Sequence, residues 1–164
     1  MEVKFEVKMT PQIMYNFMLN HTYKSPTGFL GVAFGIASFI MFGVTLGKTT
    51  TTFSILYLLF GVWFVLYLPV SLYMRSKKQV KNNTVFQKPI TYVVNDKGIQ
   101  IIQGKEKAEC KWENIMKVCR TGKSLLVYSG RRNAFVLPKE AIGEQYDTLV
   151  TLLRKNMPEK KVKL

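Results

Sequence analysis

Few side chains in this sequence could carry out chemistry. His21 is the single histidine, so imidazole acid–base catalysis and histidine-rich zinc sites lack a second member. Cys110 and Cys119 stand apart, in no C-x-x-C pair and beside no histidine. They read as small, reduced, buried or half-buried residues rather than a redox pair. Glu106, Glu109 and Glu113 have spacings that paired carboxylates could use, but Lys107 and Lys111 interleave them. That pattern describes a solvated strand face. A nucleophile triad, a metal-ligand cluster and a phosphate-cradling glycine loop are all missing from the sequence. The residues therefore predict no catalytic site, no cofactor and no metal, and the chain reads as a non-enzyme.

What remains is charge. The chain has 24 Lys and Arg against 10 Asp and Glu, and from Arg75 onward the balance is 20 against 8. Arg75, Lys77, Lys78, Lys81 and Lys88 form one basic stretch. Arg131 and Arg132 form another, on a turn with Ser129 and Gly130, where backbone N–H groups and two guanidiniums could hold an anion. An ordinary solvated turn is the plainer reading of that pair. The basic balance suits anionic lipid or an acidic protein surface. Nucleic acid is not expected, because no RNA-reading aromatic motif or recognition helix is evident.

The elements that position these charges include two long apolar runs. Ser25 to Gly47 is 23 residues without a charge, and Thr49 to Met74 is 26. About 20 residues at ~1.5 Å each cross a bilayer's ~30 Å core. The runs predict two transmembrane helices over about 28–47 and 53–74, joined by a short polar turn around Lys48. Residues 25–74 are thus a helical hairpin, with Pro69 expected to bend its second arm. The first run begins too far along the chain for a cleaved signal peptide, and a second run follows it at once. Neither run contains Asp, Glu, Lys, Arg or His, which argues against an ion or proton pathway. The cations at the second exit, with Lys24 at the first, put both chain ends on the cytoplasmic side of the cell membrane.

Within the first run, Gly28, Gly31, Gly35 and Ser38 recur at three- and four-residue steps, so they share a helix face. Small residues there let another helix backbone come close. The partner is either the second arm of the same hairpin or a second copy in a homodimer.

After Lys88 the pattern turns to short Val-, Ile-, Tyr- and Phe-rich segments separated by turns, which predicts an antiparallel meander curled into a small barrel or bent sheet. The Asn95-Asp96-Lys97-Gly98 turn joins two of these strands. Trp112 falls on a core-facing strand position. Residues 144–156 have helical apolar spacing and should close one end of the sheet, with Glu159 to Leu164 expected to fray. At the other end of the chain, Glu2 to Met9 alternates as a half-buried strand does. Thr10-Pro11 then starts a short helix to about Asn20. Residues 1–24 should pack on the 75–164 domain, making the hairpin an insertion. The fold class is an α+β membrane protein.

Cys110-Lys-Trp-Glu-Asn-Ile115 followed by Phe135-Val-Leu-Pro-Lys-Glu-Ala-Ile142 resembles the Trp-x-x-Ile and Pro-Lys segments of the bacterial YcxB-like membrane proteins. The order of elements resembles them too, over nearly the whole chain. The β-rich domain is similar to a pleckstrin-homology-like fold, a curled antiparallel sheet with a C-terminal helix. The resemblance implies no established reaction and transfers no catalytic residue. Pleckstrin-type domains that bind inositol phosphates have a basic cluster in their first hairpin turn, where this chain has Lys97 beside Asp96. The expected function is a membrane-anchored binding or accessory module acting at the cytoplasmic face on a membrane protein or anionic lipid. The alternative is self-protection against a membrane-active peptide.

Overall fold

The structure, a computed structural model, describes residues 1–130 and 133–164. It is α+β and forms two compact units, one of Met1–Ile13 with Val80–Leu164, the other of Met14–Gln79.

The first strand, β1 (Glu2–Val7), has its alternate residues Val3, Phe5 and Val7 buried. Helix α1 (Pro11–Tyr23) follows. Its first turn is capped by Thr10, whose Oγ1 accepts from the Ile13 N–H at 3.2 Å. α2 (Pro26–Thr45) has Ser25 as its N-cap, accepting from the Gly28 N–H at 3.2 Å, and Pro26 in its first turn. α3 (Thr51–Asn82) is 32 residues long and continues through Pro69. α2 and α3 lie antiparallel, with Gly31 facing Leu68, Gly35 facing Phe64 and Val65, and Phe39 facing Gly61. Both are long and apolar enough to cross a membrane, and in each the most apolar window is only 11% buried.

A one-turn helix, α4 (Thr84–Gln87), leads into β2 (Ile90–Asn95), β3 (Gly98–Gln103) and β4 (Glu106–Lys111). With β1 these form an antiparallel sheet in the order β1-β2-β3-β4. β1 pairs with β2 in a register that sets Val3 opposite Val94 and Val7 opposite Ile90. The β2–β3 turn is an Asx turn, in which Asn95 Oδ1 accepts from the Lys97 N–H at 2.9 Å. It closes on Gly98, at φ 154°, where a Cβ would run into the carbonyl oxygen of Cys110 on β4. Only glycine lets those backbones approach so closely.

The chain then departs from the meander read in the sequence. A 3₁₀ turn at Trp112–Asn114 ends the first sheet. β5 (Lys117–Arg120), β6 (Ser124–Tyr128) and β7 (Ala134–Pro138) begin a second. After the one-turn α5 (Lys139–Ile142) and a 3₁₀ turn come α6 (Tyr146–Asn156) and β8 (Val162–Lys163). The second sheet has the order β7-β6-β5-β8. The expected frayed segment is thus a strand: Val162 pairs with Val118 and Lys163 with Cys119, in parallel.

One core holds this unit together. Val94 and Ile99 of the first sheet meet Val118, Leu125, Val127 and Leu137 of the second and Leu149, Leu152 and Leu153 of α6, all fully buried. The α6 residues recur at three and four steps, which aims one helix face at both sheets. Each fully buried aliphatic side chain stabilises the fold by about 1.5–3 kcal/mol.

Candidate functional site

The basic stretch begins inside a helix. α3 passes from Met74 directly into Arg75, Lys77 and Lys78, and Lys81 lies in its last turn, all of them exposed. At about 100° per residue these four fall on one half of the helix. Ser76 points the opposite way; it is fully buried, and its Oγ donates to the Tyr73 carbonyl at 2.7 Å. Lys77 Nζ sits 4.7 Å from the centre of the Tyr73 ring, a cation–π contact one turn along. Tyr73 in turn receives Tyr15 of α1 edge-on, centroids 5.6 Å apart.

The helix outlasts the apolar run because loss of hydrophobicity does not break an α-helix, and neither glycine nor proline lies between Val70 and Gln87. Its end is marked by Asn83, which caps α4 by accepting from the Val85 N–H at 3.0 Å. The Gln87 side chain donates to the Lys81 carbonyl at 3.0 Å, and Gln103 of β3 donates to the Lys88 carbonyl at 3.1 Å. Lys88 is therefore anchored to the first sheet rather than lying on a loose linker. Sequence reasoning passed over Asn83, Gln87 and Gln103. Asn82-Asn83-Thr84 was the available cap signal, whereas the reach of Gln103 had none.

The small-residue face divides. Gly31 and Gly35 meet α3, and a Cβ on Gly35 would stand 3.0 Å from Val65 Cγ2 and 3.3 Å from Phe64 Cβ. Gly28 instead meets the carbonyl of Thr22, at the end of α1. Ser38 is half-buried, and its Oγ donates within its own helix to the Phe34 carbonyl at 2.9 Å.

The remaining candidates are dispersed. His21 is exposed beside Phe17 on α1. Cys110 is buried, which pushes its thiol pKa up and disfavours the thiolate, and Cys119 is half-buried. Glu106, Glu109 and Glu113 are exposed. Lys155 Nζ, 3.0 Å from the Asp96 carboxylate, holds that group below the usual carboxylate range. Arg131 and Arg132 lie outside the described residues. Trp112 is half-buried against the core, in the 3₁₀ turn between the sheets instead of on the strand expected of it.

Two sheets closed by an amphipathic helix, carried on a chain with two helices of membrane-crossing length, define an α+β protein with a basic domain and a basic helix end. The family described as YcxB-like protein matches residues 94–153, from the end of β2 into α6. Both segments that carried the resemblance, 110–115 and 135–142, lie inside that match. No curated protein and no solved structure matches the chain.

Proposed function

We propose that the chain is an integral protein of the bacterial cell membrane with two spans and both ends in the cytoplasm. Its basic, pleckstrin-like domain is a non-catalytic module that binds a membrane protein or anionic lipid headgroups at the inner face. The observation that carries this reading is the continuity of α3, which runs from an uncharged apolar stretch into Arg75, Lys77, Lys78 and Lys81 without a break. A helix leaving the hydrocarbon in this way holds its cations at headgroup depth, where each Lys or Arg gains about 1 kcal/mol from an anionic leaflet.

The apolar surface supports the same reading. Phe29 is 68% exposed, Phe34 61% and Trp63 61%. Water would penalise such a continuous apolar surface, and lipid would not. The hydroxyls of Ser38 and Thr45 donate to carbonyls of their own helix, at 2.9 and 2.7 Å, so they carry no unsatisfied polar group into hydrocarbon.

Crosslinking of the full chain in native membranes at near-natural expression, followed by mass spectrometry, tests the reading. The expected result is sedimentation that resists carbonate extraction, together with a reproducible stoichiometric membrane-protein partner or enrichment of anionic lipid. Release of the chain by carbonate overturns it.

A further inference from the structure

We propose that the outward face of α3 binds one anionic phospholipid of the inner leaflet, with an acyl chain along Leu59–Val70 and the headgroup at Lys77. The inference rests on the membrane reading above and narrows its lipid half to a defined site.

The first observation is a groove. Leu59, Val62, Trp63, Leu66, Tyr67 and Val70, all exposed, line a shallow apolar groove of about 390 Å³ on α3. Trp63 and Tyr67 form one wall, their rings stacked with centroids 5.2 Å apart and planes 12° from parallel. From Leu59 to Val70 the helix rises about 16 Å. That matches the hydrocarbon depth of one leaflet, half of a ~30 Å core.

The second observation is the cation at the groove's end. At about 100° per residue, Lys77 falls in line with Leu59 and Val70. Its side chain leans back toward the helix N-terminus, as helical side chains do, and Nζ lies 4.7 Å from the centre of the Tyr73 ring. The ammonium is thereby held within about one turn of Val70. Lys78 flanks it, also exposed. No Asp or Glu occurs anywhere in Met14–Gln79, so this unit offers Lys77 no carboxylate. A phospholipid with a net negative headgroup supplies the anion and the apolar chain together, at the spacing the helix sets.

Competing occupants fit this face less well. A second copy, inserted in the same orientation, would bring its own Lys77 and Lys78 against these, like charge against like. A partner helix packs in lipid through small or hydrogen-bonding residues. On α3 the small Gly61 lies on the far side, against Phe39 of α2, and the groove face has only bulky side chains. An acyl chain needs no such flat seat.

The test uses the full chain carrying Trp112→Phe, which leaves Trp63 as its one tryptophan. It is placed in bilayers of phosphatidylcholine with one-fifth phosphatidylglycerol, and bromine, a contact quencher of tryptophan, is carried on the acyl chains of one lipid or the other. Phosphatidylglycerol is expected to reach Trp63 with a preference of at least about fivefold, the worth of one cation at headgroup depth. Lys77→Gln should bring that preference close to one. Tyr67→Leu, which takes down the ring wall and leaves every cation in place, should do the same. Ile36 is exposed on α2, next to the Gly35 that faces Phe64 and Val65, and so lies at the depth of Trp63. Ile36→Trp combined with Trp63→Phe should show no preference. Equal quenching of Trp63 by the two lipids overturns the site. So does a preference that survives Lys77→Gln or Tyr67→Leu, or one that recurs at Ile36→Trp, because each leaves only diffuse attraction to the helix end. Quenching by neither lipid means that another helix covers the face, and it overturns the site as well. A chain that resists carbonate extraction yet shows no preference refutes the site alone, whereas release by carbonate refutes the membrane reading beneath it.

Discussion

The indole Nε1 of Trp112 donates to the carbonyl oxygen of Asn95 at 3.2 Å and shares the same hydrogen with the Asp96 carbonyl, also at 3.2 Å. Trp112 opens the turn at which the chain leaves the first sheet, and Asn95 ends β2, so this contact ties the break between the sheets to the β2–β3 turn. Trp112→Phe keeps most of the ring packing and loses the donor, for an expected cost of about 1 kcal/mol. Trp112→Ala also opens a cavity, and about 3 kcal/mol is expected. Denaturant titration of the full chain in micelles reads both. A phenylalanine variant as stable as the parent would show that ring packing alone holds the turn.

Tyr92 is expected to make stability fall at alkaline pH. Its ring is buried in the first sheet, stacked on Phe5 at 5.7 Å and met edge-on by Phe135 at 6.2 Å. Burial pushes its hydroxyl from 10.0 up to about 12. The unfolded chain ionises this group first, so its contribution is fully present below pH 10 and is lost as pH rises through about 12. A rise from 10.0 to about 12 corresponds to about 2–3 kcal/mol. Tyr92→Phe should flatten that decline. Burial raises Tyr128 and Cys110 as well, so a shallower fall should persist. An unchanged alkaline limb in the variant would refute the assignment.

These two sites show what the sequence could and could not disclose. Alternation in Glu2–Val7 marks one half-buried strand and the Ile-, Tyr- and Val-rich run of Ile90–Asn95 marks another, and they pair although the whole helical segment separates them in sequence. Gly98 advertised its turn. The α2–α3 seam at Gly31 and Gly35 followed from spacing, but Gly28 on the same face meets Thr22, because spacing within one helix says nothing of the turn that leads into it. The two-residue β8 has no periodicity to detect, and its partner β5 lies far back along the chain. The split into two sheets at Trp112 was hidden because a 3₁₀ turn carries no Gly or Pro signal here.

The helix seam gives a paired prediction. A methyl on Gly35 would press on Val65 and Phe64, whereas one on Gly43 meets nothing within 4 Å. Gly43→Ala should be neutral or stabilising by up to about 1 kcal/mol, through helix propensity. Gly35→Val must push α3 away, and a loss of about 1–3 kcal/mol is expected from overpacking. Thermal unfolding in the same detergent compares the two. A Gly35→Val chain as stable as Gly43→Ala would refute the contact of Gly35 with Phe64 and Val65.

The basic end of α3 makes the last prediction, one that separates lipid attraction from general solubility. If Arg75, Lys77, Lys78 and Lys81 lie at headgroup depth, the full chain should be more stable in nanodiscs of anionic lipid than in zwitterionic ones. Each cation contributes about 1 kcal/mol at low salt. Reversing Lys77, Lys78 and Lys81 to Glu together should abolish the difference or invert it. Reversing Lys105 and Lys107, which are exposed around the β3–β4 turn, should leave it intact. The difference should also fade toward 1 M salt, where the screening length falls to about 3 Å. Equal stability of the parent chain in the two lipids at low salt would remove the lipid half of the proposed function, leaving a protein partner as the target of this basic surface.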